Sequence, residues 1–429
     1  MFFVCAFNVD ALPSTKYTRS CSLLAPTEGQ YDNSKVPSIT SEPAFKKLSK
    51  ANQFYADEQY SQAIPILNDI IANSGDRAAK ARSMLILGRI YQAQNKFSAA
   101  ASELKKALDS GDMGQQNEAA IKQSLAFLYS GQENHRESLK WMKEYFNGVI
   151  NPPASSYAML AQSYYRVNDF KNAICPAYLA LKQGYKSKKN LYGFLLNAHV
   201  KIKDLPGAEV IAKEMVELFP KEKSVLNNLF GIYSQQGKQA EMLALAELAY
   251  LNGMWSSETN YKQLSSLYVN RGVPLLAAER LKEGVDKGIV KATEDNWKNI
   301  AINYQAAKER EKAILAYEQA SKYTNSGKYL YKIGNMYFDK ENYSEAIKKF
   351  RDAINKGGLN DNDKGYAYLW TGVSQFREGN PQTALATLKT AQGFSNVSKN
   401  AGQFINYINV LEQQKKAMQE AQLASSEIE

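Results

Sequence analysis

The sequence has 429 residues, 44% hydrophobic and 22% charged, which is too apolar for a disordered chain. Its net charge of +10 comes from 53 basic and 43 acidic residues, but only 11 of the basic ones are Arg. Such a balance suits a solvated surface better than bidentate reading of bases and phosphates, so nucleic acid is set aside as a partner. No run approaches the roughly 18 apolar residues that a membrane-spanning helix needs, which sets a direct membrane span aside as well.

Residues 1–11 contain an apolar run, Phe2 to Val9, and then Val9-Asp10-Ala11, a small–x–small pattern suited to cleavage after Ala11. The run is short and has no basic n-region, so two readings stay open: a truncated signal peptide or a disordered N-terminus. Residues 12–43 read as an extended arm, with Pro13, Pro26, Pro37 and Pro43 among Ser and Thr. Cys5 would leave with a signal peptide, so Cys21 and Cys175 remain. A disulfide between them would close a long loop and contribute roughly 4–5 kcal/mol in the chain-entropy model. Cys175 reads equally well as a small buried hydrophobe in a helix.

From residue 44 to 397 the chain repeats. Ile333, Gly334 and Tyr337 in one stretch are followed by Ala346, Phe350 and Ala353. Trp297, Ile300, Ala301 and Tyr304 precede Ala313, Tyr317 and Ala320 in the same way, and Met84, Leu87, Gly88 and Tyr91 precede Ala100, Leu104 and Ala107. The pattern is large–x2–large–small–x2–aromatic in one helix and small–x3–large–x2–small in the next, that of the tetratricopeptide repeat (TPR). The first small residue of the second helix serves as a ruler: Ala63, Ala100, Ser138, Ala173, Ala208, Met242, Ala277, Ala313, Ala346 and Ala384, spaced 33 to 38 residues apart. Ten hairpins follow. Pro274 and Pro381 stand three residues before their rulers, where a fixed φ and a missing N–H suit the first turn of a helix.

Residues 398–424 read as a closing helix, with Phe404, Ile405, Tyr407, Ile408 and Leu411 to cover the last repeat, and residues 425–429 as a frayed tail. The fold expected is all-α: a right-handed TPR superhelix, or α-solenoid, of about ten hairpins with a C-terminal capping helix.

Nothing in the sequence points to catalysis or to a cofactor. Of two histidines, His199 occupies the aromatic site of its repeat, equivalent to Tyr164 and Tyr233, and His135 falls at an exposed turn. No HExxH, GxGxxG or Walker loop is present, and Cys and His lack metal-ligand spacing. The surface expected to act is the one lined by first helices, where Lys262, Ser266, Lys298, Asn299, Lys328 and Lys332 flank the small site. Four of them, Lys262, Asn299, Lys328 and Lys332, resemble the carboxylate clamp of TPR domains that bind chaperone tails. Ser266 departs from that pattern where the clamp has Asn.

A further resemblance is carried by Cys21-Ser-Leu-Leu, the Val36-Pro37 arm, Ala161-Gln-Ser-Tyr-Tyr165, Cys175-Pro176, Val216-Glu-Leu-Phe-Pro220 and Leu264-Ser-Ser-Leu-Tyr268 followed by Pro274. Over nearly the whole chain these are similar to gammaproteobacterial periplasmic TPR proteins associated with TonB energy-transduction systems. The resemblance implies a periplasmic, non-enzymatic protein–protein scaffold that assists an inner-membrane motor powering outer-membrane transport, with motor components as partners. Two other readings stay open: an envelope-assembly adaptor, and a cytoplasmic peptide-binding adaptor or regulator.

Overall fold

The computed structural model describes residues 14–32 and 36–426. The expected leader, residues 1–11, lies outside them, as do residues 427–429 of the expected tail. Among the described residues there are 21 helices and no strand. The chain divides into two compact units, Met1–Gln236 and Gly237–Glu429, each described by itself.

The first unit begins with the hairpin of α1 (Glu42–Ala56) and α2 (Tyr60–Asn73), followed by α3 (Arg77–Ala93) with α4 (Phe97–Asp109). Next come α5 (Gln115–Gly131) with α6 (His135–Phe146), and α7 (Ala154–Arg166) with α8 (Phe170–Lys182). It ends with α9 (Lys188–Lys201), α10 (Leu205–Leu218) and α11 (Lys223–Gln235). The second unit opens on α12 (Gln239–Leu251) and continues through α13 (Glu258–Asn270) with α14 (Pro274–Asp286) and α15 (Glu294–Ala306) with α16 (Arg310–Ser321). Then follow α17 (Lys328–Phe338) with α18 (Tyr343–Lys356), α19 (Asp361–Arg377) with α20 (Pro381–Gln392), and α21 (Ser398–Ser426). Nine of the ten pairs read from the repeat pack as hairpins inside a unit, α11 and α12 fall on either side of the division, and α21 continues two residues past the expected end of the capping helix.

Each of the ten rulers is the fourth residue of its second helix, and all are buried, Met242 included. The reason lies in the turn before it. Two residues ahead of every second helix stands one with positive φ: Glu58, Asn95, Glu133, Asn168, Lys203, Gly237, Gly272, Lys308, Glu341 and Gly379. The following amide then reaches back to the carbonyl of the repeat's aromatic site, as in Lys96 to Tyr91, Asp204 to His199, Val273 to Tyr268 and Asn342 to Tyr337. Within each unit that back-reaching bond ends the first helix and aims the second antiparallel to it.

The small site of the first helix is set by contact. A Cβ on Gly88, Gly334 or Gly372 would come within 2.8 Å of Leu104, 2.6 Å of Phe350 or 2.7 Å of Leu388. Trp297, Ile300, Tyr304, Tyr317, Tyr329 and Ile333 form one continuous core across successive hairpins of the second unit. Val397, Ala401 and Ile408 bring α21 onto α19 and α20, covering the last apolar face as a capping helix must.

The arm is not simply extended, and it ends two residues earlier than expected, because Ser41 caps α1 by accepting the Ala44 N–H. Residues 15–19 form a turn closed by Thr15 and Thr18, both buried. From there the arm crosses the first unit in reverse order of its hairpins. Lys16 pairs with Asp204 at the start of α10, and Cys21 is bonded to Cys175 in α8. Pro26 O accepts the Asn151 N–H, the Tyr31 hydroxyl accepts the Ile150 N–H, and Pro37 O accepts from Arg82 of α3. Finally Asp76, the N-cap of α3, accepts the Thr40 N–H at 2.7 Å and the Ser41 N–H at 2.9 Å on one oxygen, and the Ala79 N–H on the other. These bonds hold the Asp76 carboxyl down at about 2, the Ser41 amide contributing most.

Candidate interaction surface

Residues about one turn apart in α13, Lys262, Ser266 and Val269, and in α15, Asp295, Asn299 and Ile302, share one face. In the second unit this face brings Lys262, Ser266 and Asn299 into one hollow of about 520 Å³ between α13 and α15, with Asp295, Asn296 and Asn303. Lys298, Lys328 and Lys332 are not part of its wall.

The lysines are not open cations awaiting a carboxylate. Lys262 pairs with Glu258 at 2.7 Å, Lys298 with Asp295 at 2.6 Å and Lys328 with Glu294 at 2.6 Å. Each carboxyl is held below its ordinary range chiefly by the hydrogen bond from its own lysine. Lys262 and Lys328 also act on Asp295, so the group is one mixed-sign network. Lys332 stands apart, its Nζ 5.9 Å from the centre of the Tyr317 ring. Exposed pairs of this kind are each worth at most about 1 kcal/mol, but together they leave a nearly neutral face rather than the free lysines that a carboxylate clamp would present.

The first unit carries two hollows that the pattern of lysines does not mark. One, of about 650 Å³, lies between α7 and α9 and is lined by Met159, Gln162, Tyr165, Arg166, Phe194 and Asn197 among others. The Tyr165 ring lies 4.4 Å from that of Phe194 and 5.0 Å from that of Phe170, and its hydroxyl donates to Asn197 Oδ1 at 3.0 Å. The other, of about 310 Å³, lies between α9 and α11, with Gly193, Asn197, Asn227, Asn228 and Gly231 in its wall. The sequence signal was present in these amides and in glycines that fall outside the small site.

The remaining expected residues have structural roles. Cys21 and Cys175 are joined with their Cα atoms 5.5 Å apart, within the ordinary range for a disulfide. His199 is fully buried, and its Nδ1 lies 2.8 Å from Asp204 Oδ2; a carboxylate cannot donate, so the imidazole does. Burial holds the ring below its ordinary range in spite of Asp204, which keeps it neutral. Gly207 leaves room for this pair, since a Cβ there would collide with both partners. His135 begins α6 and is half-buried rather than exposed. Among the described residues no group of His, Cys, Asp and Glu could hold a metal ion, and no helix is long and apolar enough to cross a membrane.

Comparison with known proteins identifies the repeat. Residues 331–398 match the family model for the tetratricopeptide repeat. Among solved structures, a tetratricopeptide repeat protein from Parabacteroides merdae is 15% identical over 57% of this chain and 93% of its own, with a TM-score of 0.33. The C-terminal part of a TPR repeat-containing protein from Cytophaga hutchinsonii is 13% identical over 64% of this chain and 95% of its own, with a TM-score of 0.36. The TPR2AB domain of yeast Sti1, in its pHSP90 complex, is 15% identical over 63% of this chain and 99% of its own, with a TM-score of 0.31. No curated protein matches the chain. Residues 331–398, which span most of the ninth and tenth pairs of helices, are thereby similar to the tetratricopeptide repeat.

Proposed function

We propose that the chain is a non-enzymatic scaffold that binds partner proteins on the open faces of its first helices, and that it works in the periplasm as an accessory of a TonB-type outer-membrane transport system. The observation that carries the scaffold reading is the recurrence of hollows between successive first helices, α7–α9 and α9–α11 in one unit and α13–α15 in the other. Tetratricopeptide-repeat proteins generally use such faces for protein partners. Support for export comes from the Cys21–Cys175 bond, since structural disulfides persist in oxidising compartments and are rare in reducing ones. Support for the TonB assignment comes from the resemblance of the arm, of Ala161–Tyr165 and of Leu264–Tyr268 to that periplasmic group.

The test is a crosslinking pull-down of the tagged full-length chain from its native cells, with mass spectrometry of the partners and of the mature N-terminus. TonB-motor components together with an N-terminus near Leu12 are the expected result. Envelope-assembly machinery in their place would favour the adaptor reading. Cytosolic partners with free thiols at Cys21 and Cys175 would overturn export.

A further inference from the structure

Gly193 and Gly231 lie inside α9 and α11, have ordinary helical φ, and would meet nothing within 4 Å if each carried a Cβ. Glycine weakens a helix interior relative to alanine, and here no packing demand within the chain accounts for it. Gly88, Gly334 and Gly372 are the contrast, each closed in by a core side chain. Both unexplained glycines belong to the wall of the hollow between α9 and α11, and Gly193 also belongs to the hollow between α7 and α9.

Around them stand amides. Asn197, Asn227 and Asn228 line the α9–α11 hollow, whose wall contains no ionisable side chain. Gln162 and Asn190 extend the row toward α7, where Arg166 is the single charge in the wall. Asn190, Asn227, Asn228 and Gln162 make no side-chain hydrogen bond among the described residues. A primary amide offers a donor and an acceptor side by side, the complement of a peptide unit, and a missing Cβ lets a foreign backbone approach closely. At the α7 end, Tyr165 and Phe194 provide an aromatic wall.

We infer that this face takes an extended, uncharged segment of a partner protein. Asn197, Asn227 and Asn228 hold its main chain over Gly193 and Gly231, and one aromatic side chain enters beside Tyr165 and Phe194. The charge pattern selects this occupant: a nucleic acid would need a basic wall, and a charged tail would surrender its hydration without gaining an ion pair. The inference deepens the scaffold reading and rests on it.

The probe is a library of twelve-residue peptides built from Gly, Ser, Thr and Gln with one Phe or Tyr, assayed against the purified full-length chain. Matched libraries carry two Glu or two Lys, or N-methylated main-chain amides. Members of the uncharged library are expected to bind, with a Kd that changes less than about twofold between roughly 0.05 and 0.5 M salt, since no ion pair is involved. N-methylation should abolish binding. The decisive variant is Gly193→Ala with Gly231→Ala, which adds two methyl groups in open space and should fold at least as stably as the parent. Its Kd is expected to rise about tenfold or more through lost close approach, with the thermal midpoint held or raised. Unchanged affinity in that variant, or preferential binding of a charged library, overturns the inference. If the native-cell pull-down still returns the same partners with the variant, the scaffold reading stands and this site falls. If it returns none even with the parent chain, the scaffold reading itself fails.

Discussion

Cys21 in the arm and Cys175 in α8 are joined across 154 residues of sequence, and five residues before Cys21 the arm pairs again, Lys16 with Asp204 at the foot of α10. The two links hold the start of the arm to the fourth and fifth hairpins. Asp76 holds its other end to the second. The arm is thereby a strap over the first unit, fastened at both ends.

Opening the bond should therefore loosen the first unit. Cys21→Ser with Cys175→Ser is expected to lower the midpoint of the first unit by about 5 °C or more, given a chain-entropy contribution of roughly 4–5 kcal/mol. Hydrogen exchange read by mass spectrometry should rise in residues 14–32 and in α8, and stay unchanged in α13–α20. Equal midpoints for parent and variant would mean that the strap contributes nothing to stability.

Asp76 is the second fastening. Asp76→Ala removes the cap of α3 and orphans the Thr40 and Ser41 amides, a cost of about 3 kcal/mol. The folded chain holds this carboxyl at about 2 against an ordinary value of 3.8. The depressed value means that its contribution is fully present above about pH 4 and is lost as pH falls toward 2. Melting curves of parent and variant should stay apart above pH 4 and converge below it; a gap independent of pH would refute the assignment.

Gly334 tests the small site of the first helix. A Cβ there would come within 2.6 Å of Phe350, so Gly334→Leu must wedge α17 from α18 at a cost of about 1–3 kcal/mol or more. Circular dichroism should show a midpoint several degrees lower. An unchanged midpoint would mean that the repeat register is wrong.

The turn residues make an opposing pair of expectations. Gly272 and Lys308 hold the same left-handed place two residues before α14 and α16. Gly272→Ala should cost about 1 kcal/mol, and Lys308→Gly should be neutral or stabilising, because a side chain is penalised at positive φ. Denaturant midpoints measure both, and a loss of stability in Lys308→Gly would show that its side chain contributes more than its backbone strain costs.

The amino-acid sequence by itself determined the helical hairpins: their period, the register of all ten rulers, Pro274 and Pro381 at helix starts, and His199 at an aromatic site. These were legible because a helix places residues three and four apart on one face, so a packed hairpin leaves its period in a window of about 34 residues. The left-handed turn residue was not, because seven of the ten positions carry a residue other than glycine. Only the tertiary structure decided the course of the arm, whose partners lie far away in sequence, as Tyr31 and Ile150 do at a separation of 119. It alone matched Lys262, Lys298 and Lys328 with their carboxylates. It also separated Gly193 and Gly231, which face open space, from Gly88, Gly334 and Gly372, which face a core. A lysine or a glycine reads the same in a sequence whatever stands opposite it; the charge it meets or the space it leaves exists only once the helices are stacked.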